Sequence, residues 1–125
     1  MNTRNKIEAI LKALNARAPE VEASAVVTRD GLVVASALSI DIETERVAAM
    51  CAALLGLGDT AASELERGRL KLLLLHGEKG VLLLIHVGQH HVLTLSASTE
   101  IKLGALLMEA RRTASVIQAE LGGTS

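Results

Sequence analysis

The spacing of apolar residues changes several times along the chain, and each change marks an element. From Thr3 to Arg17, Ile7, Ile10, Leu11 and Leu14 fall at i, i+3, i+4 and i+7, the pattern that lines one face of a helix. Glu8, Lys12 and Asn15 fall on the solvent side. Ala18-Pro19-Glu20 ends the helix, because proline lacks an amide hydrogen and pushes the residue before it out of helical geometry. Val21 to Thr28, rich in β-branched residues, and Leu32 to Ser36 read as two strands. Asp30-Gly31 between them predicts a hairpin turn, since both positions tolerate positive φ.

A long helix is predicted over roughly Ile42 to Glu66, with Ser39 or Asp41 as N-cap, Glu43 and Glu45 in the dipole-favoured first turn, and Gly68 as its stop. Val47, Met50, Leu54, Leu57, Ala61 and Leu65 form one stripe, with Cys51, Leu55 and Ala62 beside it. Ala48, Ala49, Ala52, Ala53 and Gly56 keep the neighbouring faces slim, so that another backbone can come close. Leu70 to Leu75 and Val81 to Val87 are nearly unbroken aliphatic runs, and Val92 to Ser98 follows. Gly77-Glu78-Lys79-Gly80 and Gly88-Gln89-His90-His91 separate them, which predicts three consecutive antiparallel strands. Strands apolar at successive positions are covered on both faces. The last helix, about Glu100 to Leu121, carries Leu103, Leu106, Ala110, Ala114, Ile117 and Leu121 on one stripe, with Gly122-Gly123 closing it. The order is αββαβββα: a five-stranded antiparallel meander sheet with helices on both faces, a three-layer α+β domain. No repeat or linker divides residues 1–125, which read as a single domain.

Composition narrows the chemistry. Half of the 125 residues are hydrophobic and none is Phe, Trp or Tyr, so the core is aliphatic. Without aromatic stacking platforms, and with 13 basic against 14 acidic residues, the chain is poorly equipped for nucleic acid. The lone Cys51 allows no internal disulfide and suits a reducing compartment, the cytoplasm. Met1 to Arg17 is charged throughout and does not resemble a signal peptide. The most apolar stretch, Leu70 to Val87, is broken by His76 to Gly80, leaving runs far short of the roughly 20 residues of a membrane helix. Membrane insertion is therefore not expected.

Candidate chemistry is sparse. Gly56-Leu57-Gly58-Asp59-Thr60 lacks the Gly-Lys-Ser/Thr ending and the preceding strand of a phosphate loop. Its glycines read as helix positions kept for close packing. His76 and His86 flank one hairpin, but the turn at Gly77 to Gly80 sets them several strand steps apart, too far for one zinc ion. They, His90 and His91 read as strand-end or loop residues. Cys51 lies in an apolar mid-helix context that hides a thiol and raises its pKa. No Gly-x-Ser-x-Gly elbow presents a serine. The expectation is no catalysis, no metal and no cofactor.

Two features do not suit a monomer. The long helix is apolar on more than one face, and the strand that follows it, Leu70 to Leu75, falls at a sheet edge in a meander. An aliphatic edge strand beside an apolar helix needs a cover.

The stretch Ala25-Val26-Val27-Thr28-Arg29-Asp30-Gly31-Leu32-Val33-Val34-Ala35-Ser36 carries a further signal. So do the Ala-rich helix with Ala61 and Ala62, Gly68-Arg69-Leu70, Gly88, and Leu103-Gly104-Ala105-Leu106 with Glu109, Arg111 and Arg112. In this order and spacing they make the chain, from Ile7 to Leu121, resemble the roadblock/dynein light chain domain family. The resemblance implies a profilin-like sandwich and a homodimer joined through the edge strand and the long helices. It also implies a small Ras-like GTPase as partner, as for similar bacterial regulators, with the nucleotide held by the GTPase. Within that picture Met50, Leu54, Leu57, Leu70, Leu72 and Leu74 are the expected dimer contacts, and Glu43, Arg46 and Glu64 the expected GTPase contacts. Two other readings remain open. One is a small-ligand module of PAS-like or longin-like architecture, its pocket between sheet and helix carrying His86 or Thr94. The other is an adaptor in a motor or filament complex.

Overall fold

A computed structural model describes residues 2–122; Met1 and Gly123 lie outside them. Three helices, α1 (Thr3–Arg17), α2 (Thr44–Glu64) and α3 (Leu103–Glu120), accompany five strands. The strands are β1 (Val21–Thr28), β2 (Val33–Leu38), β3 (Leu73–Gly77), β4 (Gly80–Val87) and β5 (His91–Ala97). The expected order αββαβββα holds. The sheet runs β2-β1-β5-β4-β3 and is antiparallel throughout. The meander comprises β3 to β5, and the β1–β2 hairpin joins it through β1 against β5. Consequently β2 and β3 are the two edges.

Helices α1 and α3 lie side by side on one face, and α2 lies alone on the other. Residues alternate across β4 and β5. Leu83 and Val87 with Leu93, Leu95 and Ala97 face α1 and α3, where Ile7, Leu11, Leu14, Leu106, Ala110 and Ile117 meet them. Each large aliphatic side chain buried there contributes about 1.5–3 kcal/mol. The core under α2 is smaller: Val27, Leu84 and Val92 from the sheet against Ala48, Cys51 and Leu55.

Several local details differ from the sequence reading. Asn15 is not on the solvent side: its Nδ2 donates to Ala37 O at 2.9 Å, and Ser24 Oγ donates to its Oδ1 at 3.0 Å. This satisfies a buried hydroxyl and ties α1 to the hairpin. The N-cap of α2 is Glu43, not Ser39 or Asp41, and its side chain makes no cap hydrogen bond. Gly68 does not stop α2. The helix closes at Leu65 with Glu66 in the left-handed region (φ 54°), Glu66 N–H donating to Ser63 O and Arg67 N–H to Ala62 O, the Schellman arrangement with glutamate in the usual glycine place. The apolar run from Leu70 becomes strand only at Leu73, and β2 starts at Val33. At the other end Gly122, with φ 86°, follows α3 as expected.

In the hairpin turn only Gly31 takes positive φ, at 96°; Asp30 does not. Gly31 is also pressed against α2, where an added Cβ would lie 3.0 Å from Ala49 Cα. The same residue thus turns the hairpin and seats the helix. Gly31→Ala meets both a strained φ and a backbone contact, and should lower stability by about 1–3 kcal/mol. Urea unfolding checks this; an unchanged midpoint would show that the turn does not hold α2.

Candidate interaction surface

Because α2 contacts the sheet with the stripe Ala48, Cys51, Ala52 and Leu55, its other apolar stripe points away from the protein. Met50 is 60% exposed, Leu57 68% and Leu65 66%. Leu54 lies between the stripes and is half-buried against the small core. Beyond α2 lies edge strand β3, paired only to β4. Its Leu73 packs half-buried on the α2 side, and Leu75, paired with Leu82, is 49% exposed.

The six expected dimer contacts do not form one patch within the chain. Met50, Leu54 and Leu57 lie along α2, and Leu70 packs beneath it: a Cβ on Gly58 would lie 2.9 Å from Leu70 Cδ2. Gly58 is therefore kept for close packing, whereas nothing in the structure explains Gly56, which has no such neighbour within 4 Å. Leu72 and Leu74 pack against the large core on the opposite face. Leu73 and Leu75 share the α2 face instead, which a run of four leucines does not reveal in the sequence.

The three charged residues expected to meet a partner are all exposed on α2. Glu43 and Arg46 pair loosely at 3.9 Å at its start. Glu64 lies at the far end, roughly 30 Å away at 1.5 Å per residue.

A polar cluster anchors the C-terminal half of α2. Asp59 Oδ2 accepts from Arg29 Nη2 at 2.9 Å, and its Oδ1 lies 3.0 Å from His86 Nε2. Arg29 Nη1 also donates to Gln89 O at 3.4 Å. The three side chains come from the β1–β2 turn, α2 and β4, and line an open recess of about 540 Å³ with Ser63 and Arg69. No spacing in the sequence links positions so far apart. The arrangement clamps helix to sheet. Among the described residues, no three His, Cys, Asp or Glu side chains gather as a metal site requires. Burial pushes the Cys51 thiol up, opposed by the Thr94 hydroxyl beside it.

Edge strand, single-helix face and outward apolar stripe together describe a profilin-like domain that leaves apolar side chains of α2 and the edge of β3 exposed. Residues 6–97 match the Roadblock/LC7 domain, and the chain belongs to that family. An uncharacterized protein of Methanocaldococcus jannaschii is 32% identical over 113 residues, covering 90% of this chain and 97% of the relative. Among solved structures, MglB of Myxococcus xanthus aligns at TM-score 0.87 with 19% identity over 94% of this chain and 96% of its own. An MglB with tetrameric arrangement gives TM-score 0.87 with 17% identity, covering 94% and 89%. Profilin II of Acanthamoeba castellanii aligns at TM-score 0.59 with 11% identity over 90% and 97%, in accord with the profilin-like sandwich. No described helix is long and apolar enough to cross a membrane.

His91 supplies a pH response. Burial, and then the neighbouring His90, lower its pKa, and its Nδ1 has no hydrogen-bond partner among the described residues. A lowered folded-state pKa means that the folded protein binds fewer protons than the unfolded chain. This residue's contribution is therefore fully present above the unfolded value of about 6.5 and is lost as pH falls below it. Unfolding midpoints measured from pH 7.5 to 5 should fall less steeply for His91→Gln than for the unaltered protein. Equal slopes would remove His91 as the cause.

Proposed function

We propose that this chain acts as a cytoplasmic homodimer that binds a small Ras-like GTPase and adjusts its nucleotide cycle or location without supplying catalytic chemistry. The observation that carries the proposal is the outward stripe Met50, Leu57 and Leu65 lying beside the half-covered edge strand β3. Family membership and likeness to MglB support a non-catalytic regulator or adaptor, and the tetrameric arrangement of one MglB supports self-association in this architecture.

Two-fold pairing of β3 with β3 would be antiparallel, continuing the sheet and laying the two α2 helices antiparallel beside each other. Met50, Leu54, Leu57 and Leu70, with Leu73 and Leu75, would then leave water. Leu72 and Leu74 would take part through their place beside or in the edge strand, with their side chains toward α1 and α3. The same symmetry would bring Glu64 of one copy toward Glu43 and Arg46 of the other. The charges separated along one helix would thus form a composite surface for the GTPase.

Light scattering on a sizing column should give twice the 13.1 kDa chain mass. Leu57 is exposed in the single chain, so Leu57→Asp should fold normally yet weaken self-association by about tenfold or more, since the dimer would bury an unpaired carboxylate. GTP turnover by a small Ras-like GTPase encoded nearby in the genome should change when the dimer is added. A monodisperse monomer, or unaltered turnover and binding, would refute the proposal.

A further inference from the structure

The sheet has a second edge, β2, at the end away from β3. It borders an apolar cavity of about 240 Å³ under the first turns of α2, where Leu38 forms part of the wall. What specifies a partner here is the main chain. Ser39 N–H donates to Glu22 O at 2.8 Å, and Thr28 N–H donates to Leu32 O at 2.8 Å. Hydrogen-bonding residues alternate along an antiparallel strand, so the register turns Ala35, Ala37 and Ser39 toward β1 and the N–H and C=O groups of Ser36 and Leu38 outward. Among the described residues no loop or turn backbone bonds to either. Exposed edges are commonly blocked by charge or proline, and Val33–Leu38 contains neither.

The walls beside this edge differ in sign. An open groove of about 980 Å³ lies against Val34 and Ser36, between Arg4 of α1 and Glu43, Glu45 and Arg46 at the start of α2. Arg4 makes no ion pair among the described residues, since Glu8, one turn on, pairs with Lys12 at 2.9 Å. On the other wall Arg46 pairs loosely with Glu43, which leaves Glu45 over. Helices α1 and α2 lie on opposite faces of the sheet, so one face of the groove is cationic and the other carries an unanswered carboxylate.

An added antiparallel strand would bond to Ser36 and Leu38 with every second residue, and directly opposed residues share a face. Ala35 and Ala37 pack toward α1 and α3, which places Ser36 and Leu38 on the α2 face. Residues bonded to them would therefore point toward Glu45, and the residues between would point toward Arg4. We infer that the β2 edge binds an extended segment of a partner protein in which a basic residue directly adjoins an acidic one, the first facing Glu45 and the second Arg4. A second copy of β2 answers this groove poorly, because its own strand is uncharged. The site stands apart from the α2–β3 contact and does not depend on it.

The probe is the peptide acetyl-TVKEVT-amide, titrated into the isotope-labelled full chain with backbone amide NMR signals followed. Saturable shifts should centre on Ser36 and Leu38, with β3 unmoved. The isomer acetyl-TKVEVT-amide puts both charges on one face and should bind at least about threefold more weakly. Ser36→Pro removes an outward donor without touching the bonds to β1, and should weaken binding about tenfold or more while the β1 and β5 signals persist. Glu45→Arg, at an exposed position, should weaken it at least about threefold. Absent or unsaturable shifts, equal affinity of the two peptides, or affinity unchanged in either variant would overturn the inference. Slow exchange of the Ser36 and Leu38 amides without peptide would also overturn it, because a second copy would then already cover the edge.

Discussion

One α-helix with its side chains is about 10 Å wide, whereas five strands at about 4.8 Å spacing span roughly 24 Å. The face carrying α1 and α3 meets this constraint with two helices side by side. The other face has α2 alone, so part of the sheet on each side of it lacks a helical cover. On the β3 side this leaves Leu73 and Leu82 half-buried and Leu75 exposed. On the β2 side it leaves the cavity roofed by the β2–α2 connection. Both the exposed apolar surface of α2 and β3 and the cavity therefore follow from the same shortage of cover.

Helix α2 is consequently the least securely held layer, and the chain fixes it at points instead of along its length. Gly31 brings the hairpin turn against Ala49. Asp59 ties the C-terminal half to Arg29 and His86. Leu70 packs beneath Gly58 as the chain leaves the helix. These anchors leave the opposite stripe, Met50, Leu57 and Leu65, exposed.

Elements whose signals are local were legible. The span of α1 follows from its apolar spacing and from Pro19, and the β3–β4 register follows from the turn at Gly77 to Gly80. Where two neighbouring faces were equally apolar, the sequence could not rank them. The Cys51 and Leu55 stripe of α2 and the Met50 and Leu57 stripe differ only in which one the sheet meets. Asn15 was misplaced because its partners, Ser24 and Ala37, lie on other elements. The Arg29–Asp59–His86 cluster was invisible for the same reason, and the cavity depends on how residues of neighbouring strands line up. Thr94, named as a polar group that a sheet–helix pocket would carry, lines the cavity under α2.

The central claim is that β3 and the outward stripe of α2 are covered by a second copy. Amide hydrogen exchange measured across a dilution series reads that cover at the backbone. The account predicts that the β3 amides facing away from β4 exchange slowly in concentrated protein and become fast on dilution, while those of β5, inside the sheet, stay protected throughout. Fast exchange at those β3 positions at every concentration would contradict it.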